Sequence, residues 1–411
     1  MKGKSSRKRV RWGGVLVAAT ALFTIMGTTA MAAGNWAAAD LTAIAGAPPA
    51  ASAPVGFTTN LSGQGPVARV VYRTRTGHVE QLYLAGGGTW KKADLTAIAG
   101  APVAASAPFG FTTSLSGQGP VARVVYKTTP GHIEQLYLSG GGTWKKADLT
   151  AIAGGTIAVS APFGFVTNLT GQGPVARVVY RGGSTGADIE ELRLSGGGTW
   201  AAEDLSAMAG APPATSAAVG YTTNLAGQGP LARVVYQTSA AHVEELSLAG
   251  GGTWKKSDLS ATTGAPDTAG VPFGFATNLT GQGPTARVVY RTTPGHIEGL
   301  SLVGGGTWKK ADLTAMAVAP TAILDPVGFT TNLTGQGPVA RVLYKSTTGQ
   351  VEQLYVGGGG SWAAADLTAI AGAPATLSPP FGFTTNLTGQ GPVVRVVYTT
   401  FPGQVEQLYL S

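Results

Sequence analysis

Three residue types recur in fixed order along this chain, and together they could grip a polyol. An arginine stands at Arg69, Arg123, Arg177, Arg233, Arg287, Arg341 and Arg395. A glutamate follows each, at Glu80, Glu134, Glu190, Glu244, Glu298, Glu352 and Glu406. A tryptophan marks each unit, at Trp36, Trp90, Trp144, Trp200, Trp254, Trp308 and Trp362. A guanidinium is a planar fork of donors and a carboxylate only accepts. Between them they can hold two neighbouring sugar hydroxyls, each of which both donates and accepts. An indole covers the apolar C–H face of a pyranose and adds one donor. The same groups also have a purely structural use, with Arg and Glu bridging adjacent strands and Trp filling a core. Nearby positions have drifted: His78 becomes Gln350 and Gln404, and Tyr83 becomes Arg193, Ser247 and Ser301. Arg, Glu and Trp have not.

Other chemistries find little here. The chain has no cysteine, which excludes thiol catalysis and Cys-based metal sites. His78, His132, His242 and His296 fall one to a unit, in a turn, which suits no metal cluster. The Gly86-Gly87-Gly88 run precedes no helix that could make it a phosphate loop. Asp188, Glu203, Asp267 and Asp325 are unrepeated acids scattered through turns and connections, a poor basis for the paired carboxylates of a glycosidase. No enzyme activity, cofactor or metal is therefore expected. Five sequons, at Asn60, Asn168, Asn278, Asn332 and Asn386, occupy turn-like segments.

The elements that must position the recurring residues follow from the tryptophan spacing. Successive gaps are 54 residues, except for one of 56 between Trp144 and Trp200. The two extra residues fall in the turn around Arg181–Asp188, with the flanking runs intact. Each unit holds four β-rich runs, exemplified by Trp90–Thr96, Gly110–Leu115, Ala122–Lys127 and Ile133–Leu138, separated by Gly, Pro and Asn. No stretch shows helical periodicity. Four strands at this period indicate an all-β, seven-bladed propeller with four antiparallel strands per blade. The ends predict closure: the N-terminal Trp36–Thr42 segment joins the last blade, which otherwise stops at Val405–Leu410. Along one strand, Glu80, Leu82 and Leu84 share a face, and Val79, Gln81 and Tyr83 share the other.

Residues 1–33 read as a secretory signal: six Lys and Arg, an apolar run from Val15 to Met26, then Ala30-Met31-Ala32-Ala33. The propeller then spans 34–411. The formal charge of +8 falls to +2 without the signal, 22 basic residues against 20 acidic. Nucleic acid is therefore not an expected partner. With no second long apolar run, membrane insertion of the mature chain is not expected either. The expected location is extracellular.

The runs Arg-Val-Val-Tyr, Gly-His-Ile-Glu-x-Leu and Trp-x-x-x-Asp-Leu-Thr, followed by Gly-Ala-Pro and Pro-x-Gly-Phe, resemble the fungal-type fucose-specific lectin family and its bacterial relatives. The resemblance covers essentially the whole mature chain. It implies metal-free pockets for fucose-type sugars between blades, each built from Arg and Glu of one blade with Trp and a second aromatic of the next. On that pattern Arg69 and Glu80 meet Trp144 and Tyr137, and Arg287 and Glu298 meet Trp362 and Tyr355. Arg341 and Glu352 meet Trp36 and Tyr409, and Arg395 and Glu406 meet Trp90 and Tyr83. Three pockets depart from it: Arg123 and Glu134 face Arg193 and Trp200, Arg177 and Glu190 face Ser247 and Trp254, and Arg233 and Glu244 face Ser301 and Trp308. Four stronger and three weaker sites are expected. Seven blades, where the familiar fungal members have six, and a longer Gly-rich turn before each Trp are further departures. The expected partners are glycans or glycoconjugates on cell surfaces; the alternative is a secreted scaffold that binds protein or cell wall without sugar specificity.

Overall fold

A computed structural model describes residues 35–411. The expected signal, residues 1–33, lies outside the described residues. Seven four-stranded antiparallel sheets succeed one another around a ring. Blades are numbered 1 to 7 by their arginines, from Arg69 to Arg395. Blade 1 has an inner strand Val55–Leu61, a second strand Gly65–Arg73, a third Val79–Ala85 and an outer strand Lys91–Asp94. In blade 7 the outer strand is Ala37–Asp40, antiparallel to Gln404–Leu410, with Ala37 opposite Tyr409 and Asp40 opposite Glu406. The first and last of the described strands thus share one sheet, as the sequence predicts.

The blades hold together face to face. Phe57, Leu61, Val71 and Val79 of blade 1 pack on Ala122, Val124, Tyr126, Leu136 and Leu138 of blade 2, and equivalent clusters fill the other interfaces. Nearest the axis, where inner strands touch, space is shortest. There Gly110 accepts the Phe57 ring so closely that a Cβ would lie 2.1 Å from its edge. Gly56 accepts Phe383 in the same way across the closure.

One expectation is corrected. The run Trp90–Thr96 is not a single strand: Lys91–Asp94 is the outer strand, and Leu95–Ala99 is a one-turn helix. Asp94 caps it, Oδ1 accepting from Ala97 N–H at 2.9 Å, and Gly100 ends it at φ +59°. Five residues are too few for a helical period to show in sequence. The turn gives the Asp-Leu-Thr motif its meaning: Leu95 is fully buried, and Thr96 Oγ1 accepts from Val79 N–H at 2.8 Å, which fixes the start of the third strand. His78 Nδ1 lies 2.6 Å from Asp94 Oδ2, so the turn histidines are ties to the helix cap. Among the described residues no helix is long and apolar enough to cross a membrane.

Candidate functional site

Every crevice between blades brings one arginine onto one tryptophan of the next blade. Arg69 lies over Trp144, with Cζ 5.7 Å from the ring centre, and the other six pairs repeat this at 5.7–5.8 Å. These are the pairs the sequence predicts, including Arg341 with Trp36 across the closure. Cation–π contact is worth about 0.5–1 kcal/mol when exposed and about 2 kcal/mol when shielded from water, so each pair is also a strut between blades.

The arginine is anchored from behind. Arg69 Nε donates to Thr59 Oγ1 at 2.8 Å, Nη1 to Gln81 Oε1 at 2.9 Å and Nη2 to Gln64 Oε1 at 3.3 Å. A guanidinium has five N–H donors, so two remain for a ligand. Burial pulls its pKa down to about 10, which leaves it charged at neutral pH. The crevice in front encloses about 470 Å³ and is lined by Val67, Arg69, Gln81, Tyr83, Ile98, Leu138 and Trp144 among others. Ile98 sits on the one-turn helix and is half exposed, giving the mouth an apolar lip.

Two groups of predicted site residues lie elsewhere. Glu80 is not beside Arg69. Arg69 stands opposite Tyr83 in the sheet register, so Tyr83 and Gln81 share its face, while Glu80 stands opposite Tyr72 and points to the other face. The same parity removes Glu134, Glu190, Glu244, Glu298, Glu352 and Glu406 from the crevices of their own arginines. The second aromatic is displaced by one blade for the same reason. Tyr83 lines the Arg69 crevice, Tyr137 that of Arg123, Tyr355 that of Arg341 and Tyr409 that of Arg395. Arg193, Ser247 and Ser301 fall to Arg177, Arg233 and Arg287. Four crevices still carry a tyrosine, but Arg123 is among them and Arg287 is not.

Gln81 and its counterparts are what the sequence reading missed. This position holds Gln in blades 1, 2, 6 and 7, Glu191 and Glu245 in blades 3 and 4, and Gly299 in blade 5. Arg177 Nη1 donates to both oxygens of Glu191 at 2.8 and 2.9 Å, and Arg233 Nη1 to both of Glu245 at 2.8 Å. Burial works against both charges of the second pair, raising the Glu245 carboxyl, and Glu245 in turn lifts Arg233 above the ordinary guanidinium range. Two hydrogen bonds to one guanidinium nitrogen favour the ion pair over two neutral groups. In blade 3, Arg193 is itself bridged to Glu203 at 2.6 Å. Where serine replaces tyrosine, the facing Trp308 and Trp362 are partly exposed, whereas the other five tryptophans are buried.

The displaced glutamates form a second ring. Each is 3–5% exposed and packs beside the fully buried tyrosine of the second strand and the aspartate that caps the helix. Burial, then the neighbouring Asp94, raises Glu80 to about 7, with Lys92 and His78 opposing; Glu134, Glu244, Glu352 and Glu406 also reach about 7. A carboxyl whose folded pKa exceeds its unfolded one favours the fold when protonated. Its contribution is complete below the unfolded value near 4.5 and disappears as pH rises to about 7. Each such group costs about 1.4 kcal/mol per pH unit across that window. The melting temperature is therefore expected to be higher at pH 5 than at pH 7.5, by roughly 5 °C or more. A thermal scan at both pH values checks this, and Glu80→Gln, which removes one of these glutamates, should reduce the dependence without abolishing it.

No family model and no curated protein matches this chain. Solved structures do resemble it in fold. A lectin from Burkholderia pseudomallei superposes with a TM-score of 0.64 at 13% identity, over 92% of this chain and 96% of that one. SapL1 lectin, solved with alpha methyl fucoside, gives 0.48 at 17% identity, over 80% of this chain and 98% of that one. The fucose-specific lectin from Aleuria aurantia gives 0.47 at 16% identity, over 77% and 96%.

Proposed function

We propose that this chain is an exported multivalent lectin that takes one pyranose in each of several crevices between blades, with L-fucose or a related 6-deoxy sugar as ligand. The observation that carries this reading is the sevenfold Arg–Trp pair at the mouth of an open crevice. Two spare guanidinium N–H groups, the Gln81 amide and the Tyr83 hydroxyl supply donors and acceptors for ring hydroxyls. The Trp144 ring offers the apolar platform, and Val67, Ile98 and Leu138 form a wall suited to a methyl in place of a hydroxymethyl. The fold likeness to the lectin from Burkholderia pseudomallei and the resemblance in the strand motifs support the same reading. Binding without turnover is the activity: all seven crevices share the Arg–Trp pair, and the carboxylates that enter some of them, Glu191 and Glu203 in blade 3 and Glu245 in blade 4, are held by arginines rather than set as the acid and base of glycoside hydrolysis. The export signal read in residues 1–33 would put the ring among cell-surface glycans.

Calorimetric titration with L-fucose tests this directly. The expected result is a leading class of about four sites, the tyrosine-bearing crevices of blades 1, 2, 6 and 7. No heat with fucose or any neutral monosaccharide would leave a protein-binding scaffold as the better reading.

A further inference from the structure

Blade 5 breaks the anchoring pattern in a way that leaves a donor of its arginine open to the crevice. In six blades a Gln or Glu on the third strand takes the arginine's Nη1, as Gln81, Gln135, Glu191, Glu245, Gln353 and Gln407 do. Blade 5 has Gly299 there. Arg287 keeps Nε on Thr277 at 3.0 Å and Nη2 on Gln282 at 3.1 Å, but among the described residues nothing accepts from its Nη1. It is also the most exposed of the seven arginines, at 9%.

The surroundings add positive charge and room. Arg287 stands opposite Ser301, and Ser301 opposite Lys309, so all three share one face. Lys309 is exposed, Ser301 leaves the space a tyrosine fills elsewhere, and Trp362 of blade 6 is partly open. The nearest acids of blade 5, Glu298 and Asp312, pair with each other on the opposite face. Glu352 of blade 6 lies four residues along its strand from Val356, about 13 Å from the crevice. Arg287 and Lys309 thus share one face of blade 5, and no acid of that blade stands on it.

Blade 4 is the internal control. Arg233, Ser247, Lys255 and Trp308 repeat the set, but Glu245 holds Nη1 through both oxygens and also accepts from Tyr221 Oη at 3.2 Å. Glu245 against Gly299 is the difference that neutralises one arginine and leaves the other open.

We propose that the blade 5 crevice binds an acidic sugar, its carboxylate or sulfate seated between Arg287 and Lys309 and its ring against Trp362. This rests on the lectin reading for the ring's platform, but the anion preference has its own test. Methyl glucuronide should bind the full-length mature chain at one site per ring at low salt, and weaken as salt rises. Gly299→Glu should weaken it about tenfold or more, and Glu245→Gly should add a second such site. A Cβ at Gly299 would meet Leu313 Cδ1 at 2.9 Å in either variant, a side-chain end that can shift; Gly299→Gln, the residue of four sister blades, takes Nη1 without adding charge and serves as the second variant, with a smaller expected loss. Fucose binding in the tyrosine-bearing crevices should be unchanged by all three.

Equal glucuronide affinity in the wild type and a folded Gly299 variant would overturn the proposal. So would fucose binding without glucuronide binding. Inorganic sulfate competing as well as a sulfated galactose would reduce the site to a simple anion site and overturn the sugar part. Glucuronide binding that depends on Gly299, in a chain that ignores fucose, would uphold this site while removing the general fucose reading.

Discussion

Replacing Arg69, Arg123, Arg341 and Arg395 together by lysine will cut retention on a fucose-coated surface by about 10² to 10⁴. The four belong to the tyrosine-bearing crevices, so they hold the strongest expected sites. Lysine keeps the charge and most of the stem but loses the planar fork. Its single nitrogen cannot reach Thr59, Gln81 and Gln64 at once, as Arg69 does, and it lacks the parallel N–H pair that a guanidinium edge offers a sugar. A single substitution removes one site and leaves the rest, because each crevice is built from only two blades. Avidity falls steeply only when neighbouring sites vanish together, since the second contact is then no longer intramolecular. Surface binding should therefore collapse, while calorimetry still finds whatever sites blades 3, 4 and 5 provide. Unchanged retention by a variant with wild-type melting would refute the arginine assignment.

The parts that repeat were legible in the sequence, and the part that varies was not. Tryptophan spacing gave the blade count, and the Trp36 segment predicted the closing strand that pairs with Gln404–Leu410. The invariant Arg and Trp do meet in every crevice. The invariant Glu drew the same attention, yet its constancy goes with a buried place beside Tyr72 and Asp94. Its neighbour Gln81 varies to Glu and Gly, and so did not stand out. Alternation along the strand already separated Glu80 from Gln81 and Tyr83. Only the hairpin register, Arg73 opposite Val79, decides which of the two faces Arg69 takes. A one-residue error there moves a side chain to the far side of the sheet. The helical turn escaped for another reason: its signal is a cap at Asp94 and a stop at Gly100, with no period between them.

The second large effect lies at the axis, where the crevices have their origin. Gly110→Ala is expected to destabilise the ring by about 3 kcal/mol, near the upper end for overpacking. The new Cβ would sit 2.1, 2.3 and 2.9 Å from Cε1, Cδ1 and Cζ of Phe57, and that ring, only 7% exposed, is itself packed into the blade 1–2 cluster. Trimming the ring should return part of the loss, so Gly110→Ala with Phe57→Leu should melt above Gly110→Ala alone, a coupling expected only of residues in contact. The same Gly and aromatic pair recurs at Gly164 with Phe111, at Gly274 with Tyr221 and at Gly56 with Phe383, so the spacing of inner strands is set alike around the ring. Blades held this close at the axis diverge outward, and the widening gap is what admits a guanidinium, an indole and a ligand at larger radius. Wedging blades 1 and 2 apart should therefore weaken the Arg69–Trp144 crevice before the others. Wild-type melting of Gly110→Ala would show that the axial contact does not set the blade spacing.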